Sequence, residues 1–214
     1  MQLGSHRLCN SLRNNLASIA KCHIACFPES LSGKLGAAYV QKTLEWFLVD
    51  EKRFLFHIEL EGQVIGYCGG FVSRGIGDGS SSGMLQHAFK QAVIGIIKKP
   101  WLAFHPEVRA VYPFIFRNIK RKLLPKKANA PITVAKDTGK FSGLVVIGVH
   151  PQYRGTGVFM ELMQYFFEES KRLGVIGSKL SVKKDNARGI NAYKKFGWEI
   201  EEDHGKTFVL RKVF

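Results

Sequence analysis

The stretch that most constrains this chain is Val146–Val158, VIGVHPQYRGTGV. Residues Leu144 to Val149 form a near-continuous apolar run, which predicts a central strand buried on both faces. The run leads through Pro151 to Arg154, Gly155 and Gly157, immediately ahead of a helical apolar stripe of Phe159, Leu162 or Met163, Phe166 and Leu173, with Gly174 past its end. Strand, glycine loop and helix in this order make a phosphate site. The first amides of a helix have no internal partner, and the helix dipole adds positive character there. Glycines let a bulky pyrophosphate reach the backbone, and Arg154 can add a charge-assisted contact. The loop lacks the Gly-Lys-Ser/Thr of a nucleotide-hydrolysing loop, which disfavours magnesium-dependent phosphoryl transfer. Taken alone, the same glycines also describe an ordinary strand-to-helix turn.

A second block, LSVKKDNARGINAYKKFGW at Leu180–Trp198, adds spacing. It places Asn186 at a strand end, Gly189 three residues on, Tyr193 seven on, and Gly197-Trp198 after the helix. Together the two blocks resemble the GCN5-related N-acetyltransferase (GNAT) superfamily, whose acetyl-CoA loop reads Arg/Gln-x-x-Gly-x-Gly/Ala and whose second block carries this Asn, small residue, Tyr and Gly-aromatic order. The matched region covers roughly the last 75 residues. The loop departs from the pattern at its last small residue, which is Phe159 here. Phe159 also belongs to the helix's apolar stripe, so it is expected to point inward and leave its amide to the phosphate.

The resemblance implies an α/β fold, with a mixed central sheet flanked by helices, and acetyl transfer from acetyl-CoA to a primary amine without a metal. The implied cofactor-binding residues are Ile147 and Val149 on the strand, Arg154, Gly155, Thr156, Gly157 and Val158 in the loop, and Asn186 and Tyr193 in the second block. Backbone groups of the strand would meet the pantetheine, and the amide of Val149 or a neighbour would polarise the thioester carbonyl. Tyr193 occupies the family's usual acid position and would protonate the departing thiolate; as an alternative it is a packed helix aromatic. The base is open among His23, Glu29, His57 and His150. His23 and Glu29 lie where the fold's first two helices meet and line the acceptor pocket, so they join Tyr193 as the catalytic candidates.

Cysteine usage points away from a disulfide scaffold: Cys9, Cys22, Cys26 and Cys68 are sparse and unevenly spaced. Cys22, His23 and Cys26 lack a second ligand pair at zinc spacing, so buried thiols are expected and no metal. The amino terminus has no apolar signal region and no apolar run reaches membrane-spanning length, so a cytoplasmic protein is the default, with peripheral contact at the inner membrane surface as an option.

Helices are expected over about Leu8–Cys26 and Leu35–Val49, then a hairpin of Phe54–Leu60 and Gln63–Val72 about Glu61-Gly62. Later elements are a strand at Lys179–Val182, a helix at Ala187–Phe196 and a last strand at Thr207–Lys212. The whole of 1–214 is expected to be one acetyltransferase-like domain. Inside it, residues 84–140 form a basic amphipathic insertion between the hairpin and the cofactor-binding strand. That segment holds twelve Lys or Arg against two acids, +10 of the chain's formal +15. Apolar stripes run through Leu85, Phe89, Ala92, Val93 and Ile96 and through Val111, Tyr112, Ile115, Phe116 and Ile119.

Such charge favours a polyanionic partner: a phosphorylated ligand, an anionic membrane or nucleic acid. No nucleic-acid motif accompanies the run Arg117 to Lys127, so nucleic acid is the least favoured of the three. The stretch CHIACFPESLSGKLGAAYV is similar to the amino-terminal region of acetyltransferases of surface-polysaccharide biosynthesis, which implies a small-molecule amine acceptor such as a nucleotide- or lipid-linked amino sugar. Acetylation of protein or peptide amines, a non-catalytic binding module docking on membrane or nucleic acid, and a dimer remain as alternatives.

Overall fold

Two strand pairs of very different length decide the architecture. A computed structural model of the chain describes residues 5–73, 80–109, 112 and 140–214. Its elements are β1 (His6–Asn10), α1 (Leu16–Cys26), α2 (Leu31–Leu35), α3 (Ala37–Glu45), β2 (Arg53–Leu60), β3 (Gln63–Val72), α4 (Ser80–His87) and α5 (Phe89–Lys98). There follow β4 (Phe141–Val149), α6 (Val158–Arg172), β5 (Gly177–Lys183), α7 (Ala187–Lys195), β6 (Glu199–Asp203) and β7 (Thr207–Val213). The strands make one sheet in the order β1-β2-β3-β4-β5-β7-β6, antiparallel except for β4 and β5.

β3 and β4 pair along nearly their whole length, from Val72↔Ser142 to Gly66↔Val149. β4 and β5 pair only over Phe141–Gly143 and Gly177–Lys179. Beyond that point the two strands run on without pairing and a wedge opens between them. A buried hydroxyl cluster closes the foot of the wedge: Ser142 on β4 meets Ser178 on β5 and Ser170 on α6, the latter at 2.9 Å. These hydroxyls satisfy one another, as buried polar groups must.

Helices α1, α2, α3 and α5 cover one face of the sheet, around Ile19, Val40, Phe47 and Tyr67. Helices α6 and α7 cover the other, around Phe56, Ile58, Leu162, Phe166 and Trp198. β3 serves both cores, and glycines make that possible. A Cβ on Gly69 would lie 2.8 Å from the Phe47 ring, and one on Gly70 would lie 2.6 Å from Phe54 and 2.8 Å from Phe166.

Several expectations need correction. The amino-terminal segment is not one helix from Leu8. His6–Asn10 pairs antiparallel with β2, and helix begins only at Leu16 after a 3-10 turn at Arg13–Asn15. The helix expected over 35–49 is interrupted by Gly36 at φ +95, which turns the chain between α2 and α3. β6 is absent from the expected order. β4 is only half-buried at Val145, Val146, Ile147 and Val149, because the wedge leaves its outer edge uncovered. The expected stripe of Leu85, Phe89, Ala92, Val93 and Ile96 is split between two faces: Ala92 and Ile96 pack inward while Leu85, Phe89 and Val93 face solvent. Of the second stripe, only Tyr112 lies within the described residues; its hydroxyl donates to the Ala103 carbonyl.

Because Gly70 is pressed between two buried rings, Gly70→Val is expected to destabilise the fold by about 1–3 kcal/mol. Urea unfolding should show a lower midpoint with an unchanged slope.

Candidate active site

The wedge is a groove of about 900 Å³. Its floor is the backbone of Ile147, Gly148 and Val149, its far wall is Lys183, Asn186, Gly189 and Tyr193, and its near end is Arg154 and Gly155. The strand geometry explains why the floor is polar. The His150 amide donates to the Ile65 carbonyl on β3 at 2.9 Å. Backbone groups alternate in direction along a strand, so the amides of Ile147 and Val149 face away from β3 and into the unpaired wedge. They are ladder groups without a ladder strand, preset as donors for an extended ligand.

The loop at the near end is shaped by two residues in the left-handed region, Gly155 at φ +83 and Gly157 at φ +94. No atom lies within 4 Å of where a Cβ on either would stand, so the loop presents bare backbone to open space. Gly157 caps α6, placing unpaired helix amides beside the groove. Val158 is buried against Gly66, and the Thr156 hydroxyl donates to the Tyr153 carbonyl at 2.6 Å. Thr156, Gly157 and Val158 thus build the loop, while Arg154 and Gly155 line the groove itself. The Arg154 side chain donates to the Cys26 carbonyl at 3.2 Å and to the Val149 carbonyl at 3.4 Å, tying the end of α1 to the end of β4.

The second block owes its spacing to a helix cap. Asn186 is the N-cap of α7, and its side chain accepts from the Gly189 amide at 3.0 Å. A Cβ on Gly189 would sit 2.5 Å from the Asn186 amide nitrogen, so the small residue is required there. Further along the helix, Tyr193 packs between Phe159 and Trp198 with ring centroids 6.0 and 6.1 Å away. Burial pushes its hydroxyl pKa up, with a further contribution from Cys68, so the phenol stays protonated at neutral pH. Phe159 is partly buried, packing on the core of the α6 and α7 face against Tyr193 and Phe196 while also lining the groove, and Val158 beside it is fully buried.

His23 is placed one turn before Cys26. Its Nδ1 is 2.5 Å from the Tyr67 hydroxyl and its Nε2 is 2.8 Å from the Ser32 hydroxyl. Desolvation lowers its pKa to about 4, leaving a neutral ring at physiological pH. Glu29 is exposed and pairs with Lys34 at 2.9 Å. His57 is buried on β2, hydrogen-bonded to Ser11 at 2.8 Å, and burial lowers its pKa. None of His23, Glu29, His57 and His150 is among the described groove-lining residues.

The thiols of Cys22 and Cys26 are 3.9 Å apart. That contact and burial push the Cys22 pKa up, and the same hydrogen bond holds Cys26 down. Among the described residues one potential ligand group comes together, Cys9, His57 and Glu59 across β1 and β2. Arg7 already lies 3.5 Å from Glu59 there, and Ser11 engages the His57 ring.

Two lining cations went unrecognised in the sequence, Lys183 and Arg188, although both stand inside the second block. With Arg154 they give the groove three cationic side chains and no acidic one among its described lining. Such a groove fits an elongated, polyphosphorylated ligand with an extended polar stem.

Residues 128–201 match the family model for the acetyltransferase (GNAT) domain. This stretch, about a third of the chain, is similar to GNAT acetyltransferase domains. Its fold is similar to the PaiA N-acetyltransferase of Thermoplasma acidophilum solved with coenzyme A, at 12% identity and TM-score 0.55, covering 99% of this chain and 100% of that one. It is also similar to an acetyltransferase of Thermus thermophilus, at 12% identity and TM-score 0.58, covering 100% of both chains. Arabidopsis thaliana NAA60, solved with acetyl-CoA, aligns at 13% identity and TM-score 0.56, covering 98% of this chain and 99% of that one. No curated protein sequence matches the chain significantly. The mixed α/β architecture is the one the two sequence blocks implied, and these solved structures share it.

The His23 environment has a pH signature. Its folded pKa of about 4 lies below the ordinary 6.5. The unfolded chain therefore takes up a proton that the folded chain refuses, and stability falls as pH drops from 6.5 towards 4. Between about pH 7 and pH 5 the loss from this group is expected to be on the order of 1–2 kcal/mol. In His23→Gln the difference between the two urea midpoints should shrink accordingly; an identical pH dependence would refute the assignment.

Proposed function

We propose that the wedge binds acetyl-CoA and transfers its acetyl group to a primary amine. The single observation carrying this reading is the unpaired, amide-lined edge of β4 ending at an open glycine loop, with cations and no acid along the described groove lining. Acetyl-CoA supplies the thioester whose acyl group is transferred. The Gly155–Val158 amides and Arg154 would hold the pyrophosphate, Asn186 would shape the far wall, and the inward amides of Ile147 and Val149 would meet the pantetheine and the carbonyl oxygen. Stabilising that oxygen as it gains charge is the main electrostatic contribution available here.

The amine nitrogen forms its bond to the acyl carbon as the carbon–sulfur bond breaks. Tyr193, held protonated by burial, would give its proton to the departing sulfur and regain one from solvent. The amine's proton would leave to water, while His23, kept neutral by burial, would hold the Tyr67 hydroxyl through Nδ1 and the Ser32 hydroxyl through Nε2 beneath the groove. Tyr67 lies directly on Gly148 in the groove floor. Glu29, outside the groove, would act at most by attracting a cationic acceptor.

For the acceptor we favour an amino sugar carrying a nucleotide or lipid pyrophosphate, because a cationic rim suits a phosphorylated acceptor better than a basic peptide tail. Thiol release measured across nucleotide-linked amino sugars and peptide amines tests this choice, and turnover confined to peptides would reverse it.

Two variants test the site. Gly157→Glu should abolish acetyl-CoA binding in calorimetry, since a carboxylate would face the pyrophosphate. Gly157→Ala carries the same left-handed backbone cost without the charge and should retain most binding. Equal affinity of wild type and Gly157→Glu would move the site elsewhere. Tyr193→Phe should lower kcat about 10²–10⁴-fold, the usual contribution of a positioned acid, while acetyl-CoA affinity changes little. An unchanged kcat would assign Tyr193 to packing.

A further inference from the structure

We infer that the outer face of α5 and the turn after it is a docking surface for an anionic lipid bilayer. This stands independently of the acetyl-transfer reading. On the inner side, Ala92 and Ile96 pack on the core of α1 to α3. Gly95 comes so close that a Cβ there would lie 2.7 Å from Leu35. Lys99 adds a tether, donating to the Lys34 carbonyl at 2.7 Å. The helix is thus held lengthwise against the domain, and its remaining face is fixed outward.

That outward face is apolar. Phe89, Val93 and Ile97 stand at i, i+4 and i+8, and the line continues through the 3-10 turn Pro100–Phe104. Phe89 is 61% exposed, Ile97 71%, Trp101 66% and Phe104 78%. Single exposed apolar residues are ordinary, whereas a contiguous row of large ones marks a partner surface.

The charge beside the row selects the partner. Lys90 and Lys98 flank it, both exposed. The sequence holds no Asp or Glu from residue 79 to residue 106, and residues 84–140 carry a net +10. Aromatic and branched side chains between lysines, on a helix lying flat, meet the requirements of a bilayer interface: rings enter the headgroup boundary and ammonium groups meet anionic lipid. No described helix is long and apolar enough to cross a membrane, so the contact is superficial. It also has a direction: Glu107, just beyond the turn, pairs at 3.2 Å with Lys183 on the groove wall. The lipid-facing row and the groove are thereby joined by one short stretch of chain.

The test uses the full chain with vesicles of phosphatidylcholine, with and without phosphatidylglycerol. Wild type should sediment with the anionic vesicles at low ionic strength and be released by salt. Trp46 and Trp198 are each 2% exposed, so a blue shift of emission, with quenching by brominated lipid, reports on Trp101. Lys90→Glu with Lys98→Glu should weaken partitioning roughly 30-fold or more, as about 1 kcal/mol per basic residue implies. Ile97→Ser with Trp101→Ser should weaken it at least as strongly. Wild type that stays in the supernatant, with unshifted emission, overturns the proposal. So does partitioning unchanged in both variants. If the apolar variant instead turns a dimer into a monomer and no vesicle binds, the face belongs to a second copy and the proposal fails.

Discussion

The parting of β4 from β5 after three paired residues is the constraint from which the site follows. A parallel ladder that continued would satisfy the amides of Ile147 and Val149 and leave no room for a ligand. Pairing at the foot cannot simply be lost, because Ser142, Ser170 and Ser178 are buried and depend on one another for hydrogen bonds. The open end cannot simply close, because Arg154 ties the end of β4 to the last turn of α1, and α7 begins at the Asn186 cap on the opposite wall. A fixed hinge and two fixed edges hold the wedge at the width of an extended chain.

Packing on the two faces keeps that geometry. β3 lies under both cores, and its glycines admit Phe47 from one side and Phe54 with Phe166 from the other. The aromatic set on the α6 and α7 face runs from Phe166 through Phe167 to Trp198 and Tyr193. The orientation of Tyr193 is therefore set by the same contacts that hold the carboxy-terminal strands. The Trp198 amide also donates to the Tyr193 carbonyl at 3.3 Å, fixing the helix end beneath it.

What the sequence disclosed was local chemistry. The glycine loop, the Asn186–Gly189 spacing and the hairpin about Glu61-Gly62 are each enforced by one turn or cap, so their residues stand out. β1 and β6 did not, because HRLCN and EIEED are short, polar strands at the two edges and pair on one side only. β1 in particular rests on a partner distant in the chain. No motif marks the groove's cations Lys183 and Arg188; the wedge alone brings them opposite β4. α5 shows the limit of periodicity most clearly. It holds apolar residues on both sides, and the small ones, Ala92 and Gly95, approach α2 and α3 closely enough to turn that side inward.

The serine foot has a mechanical consequence. β5, α7, β6 and β7 reach the rest of the sheet through three residue pairs between β4 and β5, that hydroxyl cluster and the flank of α6. The domain is thus two leaves on a narrow spine, and a ligand spanning the wedge touches both. Its binding energy is then added to the cohesion between the leaves, so an occupied wedge behaves as a clasp and an empty one as a clip held at a single end.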